Sequence, residues 1–219
     1  MSSASPPPFS RSLLLFALLY GGMTCVAGVL GAKQVALGPL AVEGGIFPFL
    51  LLVVLSSTTA ELHGRRAAEM LVRFGFVPLL TAMALIWLVI RLPYDPAMYP
   101  PAITAFPVIL GQSARMMMAG VIAYGVSQSL NVLLFTKLSQ RAGTGAGRGL
   151  GMRGAVASAL SQIVDTVLFI SLSFLGERSI GALMAGQMLA KVLLSLLLVP
   201  PLIHLLAAIG RRIDGVSKA

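Results

Sequence analysis

The sequence predicts an all-α, polytopic membrane protein with six transmembrane helices and both termini in the cytoplasm. Three observations predict it. Of 219 residues, 57% are hydrophobic and only 11% charged, with a mean hydropathy of +0.93; a soluble domain carries about 25% charge on its surface. The apolar residues form runs such as Leu13–Tyr20 and Phe49–Leu55. These do not alternate as barrel strands do, which leaves helices to satisfy the backbone inside lipid. Finally, the basic residues gather in alternate connections between the runs.

The first span covers 12–31. One arginine precedes it, the apolar run continues through Leu30, and no A-x-A-like cleavage site follows a short core. It reads as a retained span rather than a signal peptide. Spans two and three cover 44–61 and 74–90. The third is short, and Arg73 and Arg91 bracket it with stems that can snorkel. The connection "RLPYDPAMYPPAITAFP" (91–107) is rich in proline, which stops a regular helix and points to a rigid outer lid.

Span four covers 113–136. The connection "RAGTGAGRGLGMRG" (141–154) reads as a flexible basic loop beside anionic headgroups. Its "GLGMRG" satisfies G-x-G-x-x-G, but a dinucleotide fingerprint needs a preceding strand, and here a membrane span precedes it. Spans five and six cover 154–175 and 180–208.

The formal net charge of +9 is explained by orientation before nucleic acid. Arg11, Arg65, Arg66, Arg73, Lys137, Arg141, Arg148, Arg153, Arg211, Arg212 and Lys218 fall on the side of the termini, against Lys33, Arg91, Arg115 and Arg178 on the other. The positive-inside rule then places both termini in the cytoplasm. The single cysteine, Cys25, excludes an internal disulfide and a multi-cysteine metal site. No cofactor is expected. Small residues at Ala27–Gly31 and Gly28–Ala32 permit close helix packing within the chain or in a homo-oligomer.

Two stretches share a motif: "SQSLNVLLF" (127–135) and "SQIVDTVLF" (161–169) both read S-Q-x-x-[N/D]-x-x-L-F. On a helix, Ser127, Asn131 and Phe135 form one stripe with Gln128 beside it; Ser161, Asp165 and Phe169 repeat it beside Gln162, and Ser158 adds a turn. Spans four and five are consecutive and antiparallel, so the shared motif suggests inverted pseudo-symmetry, and inverted repeats hold substrate near mid-membrane. Asp165 lies halfway along its span, where an ionisable group facing lipid costs roughly 2.5–3.5 kcal/mol or more. It must face protein or water. Span six offers Gln187, Lys191 and Ser195 on one stripe, so Lys191 is its expected partner.

Buried amides and hydroxyls also simply bond helix to helix. Read as a site, two amides and a carboxylate suit a small, polar, planar ligand with adjacent donors and acceptors. Phe135 and Phe169 end the stripes, where a ring can stack on it.

Four stretches in order resemble one family: "AELHGRRAAEMLVRFGF" (60–76), "ARMMMAGVIAYGVSQSLNVLLFTKL" (114–138), "ASALSQIVDTVLF" (157–169) and "AKVLLSLLLVPPL" (190–202). The chain resembles the queuosine-precursor transporters, six-span bacterial inner-membrane proteins once grouped as vitamin-uptake transporters. The resemblance covers nearly everything after residue 20. It implies import of 7-cyano-7-deazaguanine or 7-aminomethyl-7-deazaguanine, and carries over Glu61, Arg115, Gln128, Gln162, Asp165 and Lys191 as motif residues. Position 131, usually Asp in the family, is Asn here, and position 57, often Asp, is Ser. Glu61 is expected to pair with neighbouring arginines or act in a gate. Arg115, about 24 Å along an unbroken helix from Asn131, belongs to an outer gate or a structural pair.

Two rivals remain. The chain has the size and span count of the membrane-bound binding subunit of an ATP-driven vitamin importer, whose partner ATPases would be separate. "GQSA" (111–114) with His204 tempts towards an intramembrane serine protease, but Ser113 and His204 fall at opposite ends of their spans, whereas nucleophile and base must approach within about 3 Å. No HExxH is present for a zinc protease.

Overall fold

A computed structural model describes residues 10–38, 40–111, 114–141, 149–176 and 180–215. Arg148, Arg178, Lys218 and Ser113, which the sequence reading used, lie outside the described residues. Helices dominate: α1 (Arg11–Gly31), α2 (Ile46–Arg91), α3 (Pro100–Leu110), α4 (Ala114–Arg141), α5 (Leu150–Phe174) and α6 (Gly181–Ile213). Five of these are long and apolar enough to cross a membrane, and α3 is a shorter apolar helix. The chain is a multi-pass membrane protein.

Local chemistry sets the ends. Ser10 caps α1 by accepting a hydrogen bond from the Leu13 N–H (3.1 Å), which satisfies a donor that the first turn leaves orphaned. Helix α2 runs for 46 residues but breaks at Gly64, where φ is 82° and ψ 167°, a conformation that only glycine adopts without strain. The two arms run antiparallel, and both pack against α1. Gly45, before the first arm, touches the far end of α1 at Ala27 and Gly31, whereas along the second arm Gly75 meets Tyr20 and the Pro78 carbonyl meets the Cys25 thiol (3.4 Å). These arms are the spans expected at 44–61 and 74–90, and apart from the break at Gly64 the connection between them is helical.

Two expectations are corrected, and one element that the sequence did not announce is added. The proline-rich connection holds a regular helix, α3: Pro100 and Pro101 occupy its first turn, where a missing N–H costs nothing. A short antiparallel hairpin, β1 (Gln34–Leu37) and β2 (Leu40–Glu43), joins α1 to α2. Lastly, "GLGMRG" is not a loop. Gly149 caps α5 in the left-handed region (φ 74°), and the helix begins at Leu150. Gly151 and Gly154 let α5 press against Pro200, Val199 and Ile203 of α6.

Helix α4 packs along α5, and α5 along α6, with α2 against both α4 and α6. One apolar core lies between α2, α4, α5 and α6 around Leu50, Val54, Phe135, Ala157, Val199 and Ile203; the other lies chiefly between α1 and α2 around Phe16, Tyr20, Leu55 and Val72.

A polar knot ties the start of α1 and the end of α6 to the break in α2. Asp214, the C-cap of α6, accepts from the Ser12 hydroxyl (2.6 Å), the Ser12 N–H (3.0 Å) and the Ser10 hydroxyl (3.1 Å). The Ser12 proton points to the carboxylate, so the His63 Nε2–H donates to the Ser12 oxygen (2.8 Å). This side is the terminal face of the bundle. Burial alone would raise the Asp214 pKa, but the bonds from Ser12 and Ser10 and the nearby His63 together hold it below its ordinary value. A depressed carboxylate stabilises the fold above its unfolded pKa and loses that contribution as pH falls through the folded value. Burial pushes the His63 pKa down, against the pull of Asp214, so His63 costs stability as pH falls below about 6.5. Asp214→Asn is therefore expected to cost about 1–3 kcal/mol at pH 7. His63→Gln is expected to flatten the fall in melting temperature between about pH 7 and 5. Thermal melts of the purified protein over that range check both.

Candidate functional site

The site is built where α4, α5 and α6 meet at mid-depth. Asp165 lies halfway along α5 and is 5% exposed. It accepts from the Ser127 hydroxyl of α4 (3.2 Å) and from the Lys191 ammonium of α6 (3.0 Å). The ion pair is nearly buried, so each charge is compensated inside the bundle instead of facing lipid. Lys191 also lies 5.9 Å from the centre of the Phe49 ring.

The polar stripe expected on α6 forms as an interface. Gln187 donates to Glu43 of the hairpin (3.3 Å), Lys191 reaches Asp165, and the Ser195 hydroxyl meets that of Ser158 on α5 (3.0 Å). Three successive turns thus join α6 to its neighbours.

Above the ion pair is a cavity of about 430 Å³, within the roughly 300–1,000 Å³ range of small-molecule sites. Asp165, Lys191, Phe169, Phe49, Glu43 and Tyr124 are among its lining residues. It extends away from the terminal face, reaching Ala32, Val108 and Gly111 at the far ends of α1 and α3. Its walls are mostly apolar, with charged groups converging at one depth, so it can hold a flat ligand between rings while a carboxylate reads its edge.

The structure divides the expected site residues. Asp165, Lys191 and Phe169 line the cavity together. Gln128, Asn131, Gln162 and Phe135 do not; they lie buried below it, towards the terminal face. Phe135 is a core residue with the Arg153 guanidinium 5.9 Å from its ring centre. Asn131 turns to α2, donating to Ser56 (3.0 Å) and Ser57 (3.1 Å). The two positions at which the sequence departs from the resembled pattern, 57 and 131, are therefore in contact. Between the matching stripes the Ser127 hydroxyl bonds Asp165, whereas Asn131 bonds Ser56 and Ser57 and the Ser161 hydroxyl bonds the Ser158 carbonyl.

Glu61 pairs with Arg153 of α5 (3.5 Å), while the nearby Arg65 pairs with Glu69 (2.6 Å). Arg115 donates to the carbonyls of Leu172 and Leu175 (2.6 and 2.7 Å), closing the C-terminal end of α5. It is absent from the cavity wall. His204 lies beside Gly151 near the terminal face, remote from Gly111 and Ala114, which flank the segment containing Ser113.

Two residues at the site escaped the sequence reading. Glu43 sits in a hairpin that no periodicity announced. Arg153 looked like one more basic residue of a loop, and the glycines around it hid the first turns of α5.

A family model described as "Putative vitamin uptake transporter" matches residues 43–205, which include every element that lines the ion pair. No curated protein and no solved structure matches the chain.

Proposed function

The chain belongs to the putative vitamin uptake transporter family, and we propose that it imports a queuosine precursor, 7-cyano-7-deazaguanine or 7-aminomethyl-7-deazaguanine, across a bacterial inner membrane. The observation that carries this reading is the Asp165 carboxylate, held by Ser127 and Lys191 in the wall of a cavity flanked by Phe169 and Phe49. A carboxylate has about four acceptor positions, of which two are used here, so N–H groups of a ligand can take the others. A deazaguanine offers an N–H/NH₂ edge that suits them, and its flat faces suit phenyl rings.

In this reading the chain crosses the bilayer six times. At about 1.5 Å per residue, α2 is roughly 69 Å long, about twice the hydrocarbon thickness, and its reversal at Gly64 supports two crossings. Arg11, Arg65, Arg66, Arg73, Lys137, Arg141, Arg211 and Arg212 belong to the terminal side, which makes that side cytoplasmic. The cavity then faces outward, as the first half of an import cycle requires.

Uptake of labelled 7-cyano-7-deazaguanine into cells unable to synthesise it tests the reading. Cells expressing this chain are expected to accumulate label, and cells without it are not. Protein present in the membrane with no accumulation removes the substrate. Accumulation only with a co-purifying ATPase moves the chain to the binding subunit of an ATP-driven importer.

A further inference from the structure

Between the cavity floor and the terminal face lies a layer that a purely structural core does not explain. Gln128 and Asn131 of α4, Ser158, Ser161 and Gln162 of α5, and Ser56, Ser57, Thr58 and Thr59 of α2 are all completely buried. Among the described residues, Gln128 Nε2, Asn131 Oδ1, both polar atoms of Gln162 and the hydroxyls of Thr58 and Thr59 have no hydrogen-bond partner. Each such group is costly to bury unpaired, and in lipid no solvent reaches it from the side. Apolar residues of the same size would fill this layer better. A layer that is wet or ligand-filled in another state accounts for the side chains that are present.

The layer ends at a second ion pair. Glu61 and Arg153 are 14% and 10% exposed and stand 3.5 Å apart, a looser contact than the 3.0 Å of Asp165 and Lys191. Among the described residues Arg153 Nε has no hydrogen-bond partner, and its guanidinium lies over Phe135. Glu61 is on the first arm of α2, three residues before the Gly64 break, and Arg153 is in the first turn of α5. The pair therefore bridges two elements that can part at a hinge.

We propose that this buried amide and hydroxyl layer is the inner half of the ligand's route, closed in this state, and that the Glu61–Arg153 pair is its gate to the terminal face. Once open, the layer presents adjacent donors and acceptors from Gln128, Asn131 and Gln162, which suits a neutral polar heterocycle passing from the Asp165 carboxylate. The inference rests on reading the chain as a transporter, but not on the identity of its substrate.

Thiol accessibility tests it without any substrate. Cys25 is the single cysteine, so Cys25→Ser gives a full-length background into which Ser161→Cys places one reporter a turn below Asp165. A charged, membrane-impermeant methanethiosulfonate is added to one face of reconstituted vesicles of defined orientation. With the native gate, labelling is expected to be slow and confined to the terminal face. Adding Glu61→Gln is expected to raise that rate about ten-fold, as removal of a pair that holds one state shifts the population, with no rise from the opposite face. The double variant Glu61→Gln, Arg153→Met leaves no lone buried charge and serves if the single one folds poorly. An unchanged rate in a folded variant, or an equal rise from both faces, overturns the proposal. Gated labelling together with no deazaguanine uptake would leave the route standing and sink only the substrate.

Discussion

Asp165→Asn is expected to reduce uptake about 10- to 100-fold while the protein still accumulates in the membrane. The carboxylate is a charged acceptor in the cavity wall, paired with Lys191, and a hydrogen bond to a charged group is worth about 1.5–3 kcal/mol, which converts to that range. An amide keeps one acceptor oxygen for Ser127 or Lys191, so the fold loses less than when the pair is truncated. Lys191→Met is the harsher change for stability. It leaves Asp165 buried with Ser127 as its remaining donor among the described residues, and stranding one charge of a buried pair costs about 3–5 kcal/mol. The double variant Asp165→Asn, Lys191→Met removes both charges and is expected to melt above Lys191→Met alone without regaining uptake. Melting temperature separates the two roles of the pair. Wild-type uptake in Asp165→Asn would remove the site.

Gly75→Ala is expected to cost about 1–3 kcal/mol, and Gly75→Val more, as overpacking does in a filled core. A Cβ at Gly75 would lie 2.6 Å from Tyr20 Cε1 and against the Tyr124 hydroxyl. Neither ring can give way cheaply. Tyr20 is fully buried, and its hydroxyl donates to Gln128 (3.4 Å) while accepting from Tyr124 (3.1 Å). Phe76 packs edge-on to Tyr124 at 4.9 Å. The substitution therefore strains the contact between α1 and the second arm of α2 and, through Tyr20, the seam at Gln128. Melting curves and membrane yield measure it; a variant as stable as the native chain would mean that this contact is slack.

The sequence made some of this legible for simple reasons. Long apolar runs must be helices in lipid, and polar residues recurring every four positions must share a face, so the α6 stripe and the Asp165–Lys191 pair followed from periodicity and the cost of a lone intramembrane charge. Glycine and proline misled, because each has two roles. Pro100 and Pro101 begin a helix, and Gly151 and Gly154 bring α5 against α6. Composition alone does not separate those uses from loops.

By itself, then, the sequence determined the class of the protein, the helical stripes and the central ion pair, since these depend on residues close along one helix or on the energetics of lipid. Tertiary structure decided which stripes see a cavity. Phe169 and Phe135 hold equivalent motif positions, yet one lines the cavity and the other is core; Asn131 and Asp165 are likewise equivalent, yet one bonds α2 and the other α6. The physical reason is that the outer neighbours of α4 and α5 differ. Identical local patterns meet different partners when helices distant in the chain pack against them, and no local spacing encodes that choice.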